Sequence, residues 1–170
     1  MFVHGYAPIH DPRSGDPAPM LELAAQFHEW GFSSLVINLG YATGAHPFSG
    51  GALEADDVTG AVRWSQTQGS AKVAVWGFSA GGSAALLASA RGAPVVAVAA
   101  DSAFADAPNL IVGQIAKVTH LPSQLFVLVP PMMSIVASPG PVDLDDEFRR
   151  HPIAVPVLLF QGTRDRAVFA

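Results

Sequence analysis

The sequence predicts an α/β fold: a doubly wound, mostly parallel five-stranded sheet in the order 2-1-3-4-5. Three observations lead there. Short β-branched apolar runs alternate with longer segments of helical period, the pattern of a parallel sheet covered by helices. Hydrophobic residues make up 50% of the chain and charged residues only 14%, against roughly 25% charged in an average globular protein. An unusual share of the chain therefore expects burial. A length of 170 residues suits one domain with a sizeable core better than two.

The first strand is Phe2 to His4. After a loop rich in Pro and Asp, Met20, Leu23, Ala24 and Phe27 recur at helical spacing, and Gly31 ends that helix. The second strand is Leu35 to Ile37. The glycine-rich stretch "GYATGAHPFSGG" leads to a helix from about Leu53 to Thr67, with Val58, Ala61 and Val62 facing inward and Gly69 near its end. The third strand is Val73 to Trp76, the fourth Val95 to Ala99 and the fifth Val157 to Phe160. Between the last two lies a proline-bounded excursion, read as a helical, cap-like insertion at about 105–150 on a single core spanning 1–170. Right-handed crossovers admit few strand orders, and 2-1-3-4-5 is a common doubly wound one. It brings the loops after strands one and three, "HGYAP" and "GFSAGG", together at the switch point where such sheets bind ligands.

Composition excludes several classes of function. A net charge of -5 leaves no basic footprint for nucleic acid or an anionic membrane. No cysteine is present, so disulfides and thiolate metal sites are excluded. No apolar run reaches the ~18 residues a membrane span needs; "LFVLVPPMMSIVA" is short and broken by Pro130 and Pro131. The N-terminus lacks a basic region followed by an apolar one, so a soluble, cytoplasmic protein is the default expectation. No cofactor or metal is implied.

Gly77-Phe78-Ser79-Ala80-Gly81 is a full G-x-S-x-G between a strand and a helix, the context that motif requires. A sharp strand-to-helix turn forces the serine into strained backbone, and only glycines leave room around it. The helix N-terminus then offers free N–H groups to a developing oxyanion. Ala80 would give one donor and Tyr6, after His4-Gly5, the other. Phosphate-binding readings fit less well. Gly77 to Ser83 spells G-x-x-x-x-G-S, with Ser83 where a P-loop has its lysine, and Ser79 occupies the second glycine of a dinucleotide fingerprint. A nucleophilic serine needs a base and an orienting acid. Asp165, in "GTRD" after the fifth strand, is the candidate acid, with a helix cap or solvated turn as its ordinary alternative. Asp101, ending strand four, is the competing acid, and a structural bond to the turn at Ser102 suits it better.

Taken together, "FVHG", "LEADDVTGAVRW", "VAVWGFSAGGSAALLASA", "VVAVAADSAFAD" and "PVLLFQGTRDRAV" resemble the α/β-hydrolase superfamily, among its small esterase and prolyl-oligopeptidase-like branches. The resemblance implies Ser79 as nucleophile, Tyr6 and Ala80 as oxyanion hole, Asp165 as triad acid, a cap over the site, and a small-molecule ester or amide as substrate. Two departures stand out. The turn after strand two reads "NLGYATGAHPFSGG" where these enzymes usually carry an Arg-Gly-x-Gly type. The family order is Ser, Asp, His, yet only five residues follow Asp165. Of the six histidines, His4 belongs to the oxyanion loop, where the family makes it structural. His28 lies on a helix, His120 in the cap and His151 before strand five. His10 and His46 sit in loops that could approach the site. The resulting expectation is a serine hydrolase cut at both ends, its catalytic histidine beyond Ala170. A non-catalytic binding protein of the same fold is the alternative.

Overall fold

The computed structural model describes residues 1–6, 18–136 and 139–163, and every structural statement concerns these. The elements are β1 (Phe2–Val3), α1 (Ala18–Glu29), β2 (Val36–Ile37), α2 (Gly40–Thr43), α3 (Ala52–Thr67), β3 (Ala74–Phe78) and α4 (Ala80–Ala90). They continue with β4 (Ala97–Asp101), α5 (Ala107–Thr119), a 3-10 turn (Ser123–Phe126), α6 (Val129–Val136), α7 (Leu144–Arg150) and β5 (Val157–Phe160). All five strands are parallel, in the order β2-β1-β3-β4-β5, as the sequence predicts.

Strands β3 and β4 each run two residues past their expected ends, pairing Phe78 with Asp101. At the start of β4, Pro94 has no N–H to pair. The Val95 N–H turns back to Ala93 O (2.8 Å), and sheet bonding begins only with Val96 N–H to Val73 O (2.9 Å). The added length carries β3 directly to the serine.

Alternation along the strands divides the molecule into layers. Val3, Val75, Val98 and Ala100 face α3, α4 and α7, forming one core with Val58, Val62, Leu87 and Leu144. Phe2 and Trp76 face the other way, where Phe27 of α1 meets both rings edge-on at 5.3 and 6.0 Å. Helix α4 is built of small and apolar residues apart from Ser83 and Ser89 and is buried from Ala80 to Ala88, as suits a helix enclosed on every side. It touches α3, α7 and strands β1, β3 and β4. The excursion after β4 returns to this layer: Leu144 of α7 is in the core, and Arg91 at the end of α4 bonds Glu147 at 2.9 Å. On the α1 side, a groove of about 790 Å³ runs past Phe27, Phe32, Trp76, Val96 and Leu158, lying toward the amino ends of the strands. No helix among the described residues is long and apolar enough to cross a membrane.

Two glycines allow α4 to start where it does. A Cβ on Gly77 would lie 2.6 Å from Gly82 N, and one on Gly81 would strike the carbonyls of Val3 and His4. Backbone cannot yield as a flexible side chain does. Gly81→Ala is expected to cost roughly 3 kcal/mol, read as a lower urea midpoint with native-like helix content. An unchanged midpoint would mean that α4 does not rest on β1.

Candidate active site

Ser79 joins β3 to α4 with φ 51 and ψ -119, a backbone conformation that costs a non-glycine residue about 1–3 kcal/mol. Its N–H extends the β3–β4 ladder by donating to Asp101 O (2.7 Å), and its carbonyl accepts the Ser83 N–H (3.0 Å). The backbone is thus held from both sides, while the hydroxyl makes no cap bond to the helix it begins. An ordinary N-cap serine has extended backbone and accepts an N–H from the first turn. Ser79 does neither, and its side chain is half-buried at the carboxyl edge of the sheet. Ala80, the first helical residue, is buried, and its N–H has no acceptor within the helix.

The loop after β1 comes against this turn. A Cβ on Gly5 would be 3.0 Å from Ser79 Cβ, so any larger residue there would press on Ser79. His4 is buried; its Nε2 accepts the Leu39 N–H (3.2 Å), which places the ring proton on Nδ1, donated to Gly5 O (2.8 Å). Tyr41 of α2 donates its hydroxyl to the same carbonyl at 2.8 Å. Burial, with Glu54 and Tyr6 adding to it, pushes the Tyr41 phenol upward from its usual pKa, so it stays a donor. With Gly5 C=O held by His4 and Tyr41, peptide planarity sets the Tyr6 N–H on the side away from that carbonyl.

Among the candidate acids, Asp101 accepts the Ser102 hydroxyl at 3.0 Å, the structural bond expected of it, and Ser102 itself has φ 52. Asp165 lies outside the described residues, as does His10. The described histidines have other roles. His4 has both ring nitrogens engaged. His46 bonds Pro47 O (2.8 Å) and Asp57 Oδ2 (2.9 Å), and the same carboxylate oxygen accepts the Gly40 N–H at 2.7 Å. A Cβ on Gly40 would overlap the His46 ring, so a larger residue there would have to displace that side chain. His28, His120 and His151 are exposed on α1, at the end of α5 and after α7.

The walls of the site come from farther along the chain. Ala80, Phe104 and Ala107 form a second core cluster, against which Phe48 and Leu110 pack. The Ser83 hydroxyl donates to Phe104 O (2.8 Å) and accepts the Phe104 N–H (3.0 Å). The residue that stands in place of a P-loop lysine is therefore committed to holding this wall. Phe48 lies 4.4 Å from Tyr6 and 5.4 Å from Tyr41 between ring centres. Its loop is tied to α3 by Glu54, which is wholly buried and accepts from Ser49 N–H (2.9 Å), Ser49 hydroxyl (2.5 Å) and Gly51 N–H (2.8 Å).

Comparison with family models and with curated proteins gives no match for this chain. The site accordingly rests on its geometry, which brings Ser79, Ala80 and the Gly5-Tyr6 peptide together. Tyr41, Phe48, Glu54 and Ser83 were not among the residues that sequence reasoning singled out for the site. Val58, Ala61 and Val62 did mark the inward face of α3, but nothing local signals that Tyr41 reaches Gly5, 36 residues away.

The pairing of His46 has a pH signature. Burial opposes its charge, but the bonds to Pro47 and Asp57 and the fields of Asp57 and Glu54 outweigh it, raising the pKa above the ordinary 6.5. The stability this contributes is fully present below the unfolded value and is lost as pH rises through the folded one. His46 ring protons should titrate above pH 6.5 by NMR, and Asp57→Asn should lower that midpoint. A midpoint at or below 6.5 would refute the pairing. For the β1 loop, Tyr41→Phe should slow any reaction at Ser79 about tenfold by releasing the Gly5-Tyr6 peptide, with little change in KM.

Proposed function

We propose that the chain is a serine hydrolase of the α/β-hydrolase type, cleaving carboxylic ester or amide bonds through an acyl-enzyme on Ser79. The backbone of Ser79 carries this reading. A serine held at φ 51 between a strand and a helix makes no cap bond with its hydroxyl in return for the strain; strain of this kind clusters at functional sites. A non-catalytic binding crevice would leave that strain unexplained.

In the proposed reaction, Ser79 Oγ attacks the carbonyl carbon, and its proton passes to the base. The carbonyl oxygen takes the displaced electron pair and is held by the N–H groups of Ala80 and Tyr6, at the start of α4. Collapse breaks the bond from carbon to the leaving oxygen or nitrogen, which departs with that proton. Water then attacks the acyl carbon, gives one proton to the base and releases the carboxylic acid, returning Ser79 Oγ–H. Asp165 keeps its proposed part as the acid that orients the base. The proposed base is a histidine other than those described, because His4 and His46 already use both ring nitrogens.

An organophosphorus probe is expected to add to Ser79 over hours, seen by intact-mass and peptide mass spectrometry, and Ser79→Ala should remain unmodified. Equal modification of both proteins would end the nucleophile reading. A chain that lacked its triad base would show ester turnover near background, because that loss costs on the order of a million-fold and an oxyanion site alone retains about 10³ to 10⁴ over water. Robust turnover, lost in both Ser79→Ala and His10→Ala, would instead assign the base to His10.

A further inference from the structure

We propose that the acyl group this site accepts is uncharged and apolar, and that Phe48 is the side chain that selects it. The inference rests on the serine-hydrolase reading above and names its substrate class.

Phe48 packs on the Ala80 cluster on one side and on the Tyr6 ring, at 4.4 Å and tilted 36°, on the other. Ala80 and Tyr6 supply the two N–H groups proposed to hold the carbonyl oxygen. A ring that lies against Tyr6 and against the cluster containing Ala80 borders the space beside that oxygen, where the group attached to the carbonyl carbon must lie. The surroundings continue apolar through Phe104 and Leu110, and the Tyr6 ring is 43% exposed, leaving apolar surface for a ligand to cover.

The polar groups around this wall are already occupied. The Tyr41 hydroxyl bonds Gly5 O, the Ser83 hydroxyl bonds Phe104, and the Glu54 carboxylate bonds Ser49 and Gly51. Among the described residues no buried side-chain polar atom lacks a partner. A site that recognises a polar acyl group keeps donors or acceptors waiting for it; the buried part of this wall holds none in reserve. A charged acyl group would also need a counter-ion. Among the described residues, Arg91 and Arg150 are paired with Glu147 and Asp146; Arg63, late in α3, and Lys72, just before β3, belong to the amino-end side of the sheet; and Lys117 and Arg149 lie in the last turns of α5 and α7. Glu54 and Asp57, which anchor the Phe48 loop, would repel an anion.

The test compares two fluorophosphonates of matched reactivity, one with an octyl chain and one with a triethylene-glycol chain, on residues 1–170. Each reaction forms Ser79 Oγ–P, breaks P–F and releases fluoride and the hydroxyl proton. Labelling of Ser79 is followed by intact-mass spectrometry. The octyl probe should react about tenfold faster, the range that a small change of apolar burial produces. Phe48→Ala should bring the ratio close to one, and Phe48→Leu, which keeps most of the apolar volume, should retain most of it; circular dichroism verifies the fold of each. A wild-type ratio near one, or a full ratio in folded Phe48→Ala, overturns the selectivity while leaving the nucleophile standing. If folded wild type takes up neither probe at Ser79, the hydrolase reading falls, and this inference with it.

Discussion

Everything at the carboxyl edge of the sheet depends on how closely α4 approaches the ends of β1 and β3. Gly77 and Gly81 face backbone at distances that exclude a Cβ. Without that approach, α4 would have to lift from the sheet. The core it shares with α3, α7 and three strands would open, and Ser79 would lose its place between Asp101 O and Ser83 N–H. A helix buried on all sides tolerates no such shift, because its apolar surface has no other cover.

The same constraint links stability to the site. The buried α4 gives back, through apolar burial, the free energy that the strained Ser79 backbone withdraws, at roughly 25 cal/mol per Å² removed from water. Strain of about 1–3 kcal/mol is therefore sustainable at one residue. The hydroxyl emerges at the edge of the best-packed part of the molecule, which suits a group whose position must not drift.

Around this rigid centre, polar groups act mainly as clips between distant segments. His4 and Tyr41 converge on one carbonyl, that of Gly5, and so set the direction of the next peptide. Ser83 holds Phe104, Glu54 gathers the turn before α3, and Asp57 joins His46 to Gly40. Each clip fixes an irregular loop by satisfying donors that burial would otherwise leave at a cost. These clips tie together the described parts of the loops after β1, β2 and β4, and the wall of Phe48, Phe104 and Leu110 is assembled from two separated parts of the chain.

The sequence by itself determined the class of fold, the order of the strands and the strand–turn–helix at Ser79, because these follow from local signals: apolar period, the rule for right-handed crossovers and the glycines of a tight turn. Its placement of β4 was two residues early, since apolar content marks Val95 and Val96 as strand while only the bonds of Pro94 and its neighbours show where pairing starts. The partners of the serine were less legible. That Asp101 bonds Ser102 was a local inference, but that His46 is tied to Asp57 and Pro47, or that Tyr41 and Phe48 border the β1 loop, depends on side chains meeting across loops with no period to betray them. Hydrogen bonds and ring contacts between residues tens of positions apart are decided by the path of the folded backbone, and only the tertiary structure chooses that path.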